Sequence, residues 1–169
     1  MMGANSVALP GDMIGSGMRM GPPPGMKPGA PPPGGMRGLR SDAPAPALAV
    51  AMEAAEEALA SCKAQGFNIG VAVVGSDGQP RVGLSEDSAS GGLIYTAVRK
   101  DLVALAFGMP SGKVDPADPK VTRKMAAAAG AIPLYSKGKL IGAIAGSGAA
   151  STQDEKCAQA GADAVKGQL

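Results

Sequence analysis

The sequence changes character at Pro46, and that break limits where a fold can form. Up to that point stand ten of the fifteen prolines, ten of the glycines and seven of the ten methionines, with no aromatic residue. A stretch so poor in branched apolar residues cannot assemble a core. The division therefore predicts an extended arm over residues 1–46, with no independent fold, and one domain over 47–169, a size common for single domains. Charge divides at the same place. From Ala47 onward twelve Lys or Arg face twelve Asp or Glu, so the chain's net +2 comes from Arg19, Lys27, Arg37 and Arg40 against Asp12 and Asp42. A neutral domain with two Phe, two Tyr and no Trp lacks the basic footprint and stacking aromatics of a nucleic-acid-binding surface. No stretch reaches the roughly 18 apolar residues of a membrane span, and the N-terminus has no apolar signal core. The expectation is a soluble protein, with localisation open between bacterial cytoplasm and periplasm.

The arm carries a weak repeat, Pro22-Pro23-Pro24-Gly25-Met26 returning as Pro31-Pro32-Pro33-Gly34-Gly35-Met36. Triple prolines favour polyproline II, and the intervening glycines keep the chain from stiffening throughout. It reads either as an unused extension or as an arm that lies in a groove of a neighbouring subunit, with methionines as adaptable apolar contacts. The methionines form no compact cluster that would favour Cu(I).

After Pro46, Ala47 to Gln65 is rich in Ala, Glu and Leu and stops at Gly66, which predicts a helix with Leu48, Met52, Ala55 and Leu59 as its apolar stripe. Phe67 to Val74 and Pro80 to Leu84 flank the turn residues Gly75-Ser76-Asp77-Gly78 and read as a hairpin. Leu93 to Phe107 predicts a second helix with Ile94, Val98, Leu102 and Leu105 on one face. Asp115 to Ala129 suggests a shorter third helix closed by Gly130. Ala131 to Ser136 and Leu140 to Gly146 are strands around Lys137-Gly138. A last helix starts near Ser151 or Thr152, where Thr152 and Glu155 have the spacing of a capping box. This order suits an α+β fold in which an antiparallel sheet of about four to five strands packs against terminal and central helices.

Chemistry-bearing residues are sparse. With no histidine and no CxxC, zinc is excluded as a working hypothesis. Cys62 and Cys157 read as two small buried thiols; the alternative is a disulfide between neighbouring terminal helices, which would imply an oxidising compartment. Ser147 and Ser151 have no base, Asp154-Glu155 fits capping and the helix dipole, and Glu86-Asp87 alone is too little for a dedicated cation site. No catalytic constellation emerges, and the chain is expected not to be an enzyme. Gly142, Gly146 and Gly148 could cradle an anion at the start of the last helix, or could serve close strand-to-helix packing.

Three blocks carry a resemblance. Ile69-Gly70-Val71-Ala72-Val73-Val74 runs into Asp77-Gly78; Ala97-Val98-Arg99-Lys100 is followed by Met109-Pro110-Ser111; and Gly130-Ala131-Ile132-Pro133-Leu134 precedes Lys139 to Gly148 and Gln153-Asp154-Glu155. In this order they resemble the GlcG/HbpS-like family, a group related to the C-terminal domain of PduO proteins, over nearly all of the chain after Pro46. The resemblance implies a profilin-like α/β sandwich, self-association, and a non-catalytic role in binding haem or another small hydrophobic or anionic ligand. Without histidine, haem iron is left to Tyr95, Met109 or a weak oxygen ligand such as Thr96. Arg99 and Lys100, a turn beyond Tyr95, could pair with ligand carboxylates, or could form a surface pair or an internal salt bridge with Asp101 or Glu86. The competing reading is an accessory or structural subunit of a larger oxidative enzyme complex, with the arm wrapping a protein partner.

Overall fold

The computed structural model describes residues 41–169. The calls on the arm's conformation lie outside the described residues. The compact unit runs from Asp42 to Leu169, so residues 42–46, assigned to the arm, belong to the fold. Pro46 is buried, and the Ser76 N–H donates to the Pro44 carbonyl at 2.9 Å. Here proline does structural work at the end of the sheet, where an unhydrogen-bonded nitrogen costs nothing.

The elements are α1 (Leu48–Lys63), β1 (Gly70–Gly75), β2 (Pro80–Ser85), α2 (Gly92–Phe107), β3 (Ala131–Ser136), β4 (Lys139–Ser147) and α3 (Ser151–Val165). The sheet is antiparallel throughout, in the order β2-β1-β4-β3. It lies between α2 on one face and α1 with α3 on the other, the α+β arrangement expected. Val71, Val73, Ile132, Leu134 and Ile144 pack towards α1 and α3, whereas Ala72, Val74, Ala131, Ala143 and Ala145 pack towards α2. This is why β1 reads as an uninterrupted apolar run: every one of its residues is buried, on one face or the other.

Two expectations need correction for identifiable reasons. Of the predicted stripe of α1, Ala55 is fully buried and Met52 and Leu59 pack half-buried against the core, but Leu48 is 66% exposed, and the centre of the buried face is Ala51, Ala54, Ala55, Ala58 and Cys62. α1 and α3 approach so closely that only small side chains fit between them. A Cβ on Gly161 would run into the Ala54 carbonyl and sit 3.1 Å from the Ala58 Cβ. The second failure is residues 115–129, which form turns and irregular backbone instead of a helix. Asp115 and Asp118 each precede a proline, and their carboxylates accept from the N–H groups of Ala117 and Lys120, both at 2.8 Å. Local side-chain capping and the missing proline donors break the helical ladder.

The α1–α3 seam is also where the cysteines meet. Cys62 and Cys157 form a disulfide with Cα atoms 5.6 Å apart, both residues fully buried, which corrects the reading of two separate thiols. Gln153 donates to Gln65 Oε1 at 2.8 Å beside it. At the other end of the seam Gln168 donates to Glu53 at 2.9 Å, and Pro44 to Ala47 share a depression with Gln168 and Leu169. A bridge spanning 95 residues removes loop-closure entropy from the unfolded chain worth about 4–5 kcal/mol, of which about 2–5 kcal/mol is commonly realised. Replacing both cysteines by alanine is therefore expected to lower the unfolding free energy by about 2–5 kcal/mol. Urea titrations of wild type and variant check this, and an unchanged midpoint would contradict it.

Candidate functional site

α2 presents two faces with different chemistry. Inward, Ala97, Lys100, Asp101 and Ala104 recur at helical spacing and all are buried. Outward, Tyr95 is 68% exposed. Arg99 follows one turn later on the same side, and Thr96 lies next to Tyr95, its hydroxyl donating to the Gly92 carbonyl at 3.3 Å.

Lys100 reaches past the end of the sheet. Its ammonium donates to Asp154 Oδ2 at 2.9 Å and to the Gly146 carbonyl at 3.0 Å, in a fully buried setting. It therefore ties α2 to β4 and to the first turn of α3, and its charge is not presented beside Tyr95. Neither Asp101 nor Glu86 is its partner; Glu86 pairs instead with Lys63 at 3.1 Å. Gly130 exists to let the lysine pass. Its φ is +144°, and a Cβ there would lie 2.6 Å from Lys100 Nζ.

The neighbouring signature residues work in the same way. Asp154 Oδ1 accepts from the Ala149 N–H at 2.9 Å, and Glu155 Oε2 accepts from Gly112 and Gly130 at 3.0 and 3.1 Å. The capping box is therefore absent: α3 is preceded by Ala150 with no side-chain cap, and the glutamate reaches out to a distant loop. Ser111 donates to the Ala128 carbonyl at 2.7 Å and accepts from the Ala131 N–H at 2.9 Å. Arg99 donates through Nη2 to the carbonyls of Arg123 and Met125. Together these bonds hold the irregular 108–130 segment against α2, β3 and α3.

The glycines near β4 are not an anion cradle. A Cβ on Gly146 would meet the Asp154 carbonyl at 3.1 Å, and one on Gly148 the Asn68 carbonyl at 2.9 Å, so protein atoms already fill the space. Met109 lies beyond the left-handed Gly108 that ends α2, and the helix from Tyr95 to its last residue, Phe107, already spans about 18 Å at 1.5 Å per residue. Of the five residues singled out, Tyr95, Thr96 and Arg99 share one region of α2; Lys100 and Met109 do not join them. Asp154, Ser111 and Glu155 were missed as a network because spacing along the chain carries no trace of contacts between residues 20 to 54 positions apart.

Asp101 is the anomaly. Its residue is fully buried and neither carboxylate oxygen has a hydrogen-bond partner. Burial pushes its pKa well above the ordinary 3.8, against a smaller opposing pull from Lys100. The folded state thus keeps a proton that the unfolded chain gives up, so the stabilising contribution is complete below about 3.8 and is lost as pH rises towards and through the raised value.

Two predictions follow from this geometry. Lys100→Met leaves Asp154 buried and unpaired and should cost about 3–5 kcal/mol; adding Asp154→Leu should recover part of that loss. Equal stability of the single and double variants in urea titrations would refute the pairing argument. Asp101→Leu should raise stability above neutral pH by about 1–3 kcal/mol and flatten the alkaline decline, as read from thermal midpoints between pH 5 and 9. An unchanged pH profile would count against a protonated Asp101.

The profile of a family described as haem degrading protein HbpS-like matches residues 47–163. A doubly substituted HbpS from Streptomyces reticuli is 28% identical with a TM-score of 0.68, over 76% of this chain and 92% of that one. Klebsiella pneumoniae protein ORFY is 19% identical with a TM-score of 0.65, over 73% of this chain and 92% of that one. PduOC, solved as a haem complex, is 21% identical with a TM-score of 0.64, over 71% and 94%. At those last two identities the likeness is one of fold. No curated protein matches the chain.

Proposed function

We propose, from the premise that the chain belongs to the HbpS-like family, that it is a non-catalytic, self-associating protein that binds haem on the outer face of α2. The observation that carries this reading is Tyr95. It is the most exposed of the large apolar side chains among the described residues, and its phenol makes no hydrogen bond there. A tyrosine oxygen is a competent axial ligand for haem iron, so the residue fits the group chemically. Arg99 lies one turn away, with its cationic head available to a propionate beyond the carbonyls it already holds. A porphyrin on so open a face is covered on one side only, which favours a second copy supplying the other side. When bound, haem would supply the iron; this chain's part is to ligate it through Tyr95 and orient it through Arg99 and Thr96.

The buried disulfide supports an oxidising compartment. No helix among the described residues is long and apolar enough to cross a membrane. A second reading, an accessory subunit of a larger oxidative complex, draws on the Pro/Met/Gly composition of residues 1–46 and on the diversion of Lys100 into the Asp154 pair.

Haemin titration of the full chain should give a saturable Soret shift near one equivalent, weakened about tenfold or more in Tyr95→Phe, a change of about 1.4 kcal/mol. No saturable shift, or the same affinity in the variant, would overturn the assignment.

A further inference from the structure

A trench runs between α3 and the open edge of β3, on the face of the sheet away from Tyr95. It consists of a depression of about 400 Å³ and another of about 190 Å³, which share Ile132 and Gln159. The first is bordered by Lys113, Lys156 and Thr152. The ion pairs among the described residues are Lys63 with Glu86 and Lys100 with Asp154, so both trench lysines have unpaired ammonium groups. Glu155 borders the same end, but its carboxylate is turned inward to the N–H groups of Gly112 and Gly130. Two lysines against one glutamate leave a single net positive charge there. The second depression is walled by Leu134, Ala162 and Leu169, with one charge of each sign, Asp163 and Lys166, also lining it.

The edge of β3 restricts what can lie in the trench. The Gly146 N–H donates to the Gly130 carbonyl, and alternation along the ladder then turns Ala131 and Pro133 outward. The Ala131 N–H is already held by Ser111 Oγ, and Pro133 has none. A peptide adding as a fifth strand would find no backbone donor at either position. The trench therefore favours an occupant that needs no backbone ladder: one negative charge at the lysine end and an apolar body beyond it.

We propose that this trench binds a medium-chain carboxylate, its head between Lys113 and Lys156 and its hydrocarbon over Ile132, Leu134 and Leu169. From Lys156 to Val165 α3 extends about 14 Å, enough for a chain of roughly ten carbons. The site is separate from the Tyr95 face, since α2 and α3 cover opposite sides of the sheet, and it does not depend on haem binding.

Isothermal titration of the full chain with decanoate, below the concentration at which it forms micelles, tests this against decanol. Decanoate should bind with one-to-one stoichiometry, at least about tenfold more tightly than decanol, a margin of about 1.4 kcal/mol. Lys113→Glu combined with Lys156→Glu should remove that preference, and Gln159→Trp should block the neck between the depressions and abolish binding. All three side chains are exposed, and matched thermal midpoints establish that the variants fold. Repeating the titration with haemin already bound should leave decanoate affinity unchanged. Absence of binding, equal affinity for decanol, an unaffected lysine variant, or displacement by haemin would each overturn the proposal.

Discussion

The pair between Lys100 and Asp154 organises the molecule. Two charges removed from water are tolerated only when each finds a complete set of partners. Here the ammonium has a carboxylate and a carbonyl, and the carboxylate has the ammonium and a backbone N–H. Meeting that requirement draws together helices from opposite faces of the sheet. Gly130 must lack a Cβ, β4 must present the Gly146 carbonyl, and the first turn of α3 must follow β4 closely. The dispersed signature residues are, in this light, parts of one polar closure, continued through Glu155 and Ser111 into the segment between α2 and β3.

That closure separates what holds the fold from what meets the solvent. Lys100 faces inward and Tyr95 outward although five positions apart on the same helix. The inward residues are saturated with partners, apart from Asp101. That carboxyl is fully buried with no hydrogen-bond partner, and burial raises its pKa by more than the nearby Lys100 lowers it. The outer face of α2 and the trench beside α3 retain groups with unfilled bonding capacity.

Much of the architecture was legible from local patterns. The hairpin followed from β-branched runs around Asp77-Gly78, and β3 and β4 from a short turn between apolar segments. α2 followed from its length and from Gly108, whose left-handed backbone ends it. What escaped was decided by contacts distant in sequence. The larger side chains of α1 suggested its inner face, yet Gly161 and the alanines opposite admit only small ones. The alanine-rich run before Gly130 resembled a helix, but Pro116, Pro119 and two capping aspartates had already committed its beginning to turns. Thr152 and Glu155 had capping-box spacing, while the glutamate's true partners lie 43 and 25 residues away. The cysteines were open to either reading because their pairing depends on how the helices dock.

The join between Glu53 and Gln168 places the start of the folded unit beside its finish. Ala47 and Leu169 border one depression, so the two ends of the described fold lie side by side. A short peptide joining them would make the order of elements cyclic. New ends could then be opened at the Lys137-Gly138 turn, whose exposed backbone carries no part of the buried polar closure. The architecture is thus defined by which elements are neighbours in space, and the position of its first residue is incidental to it.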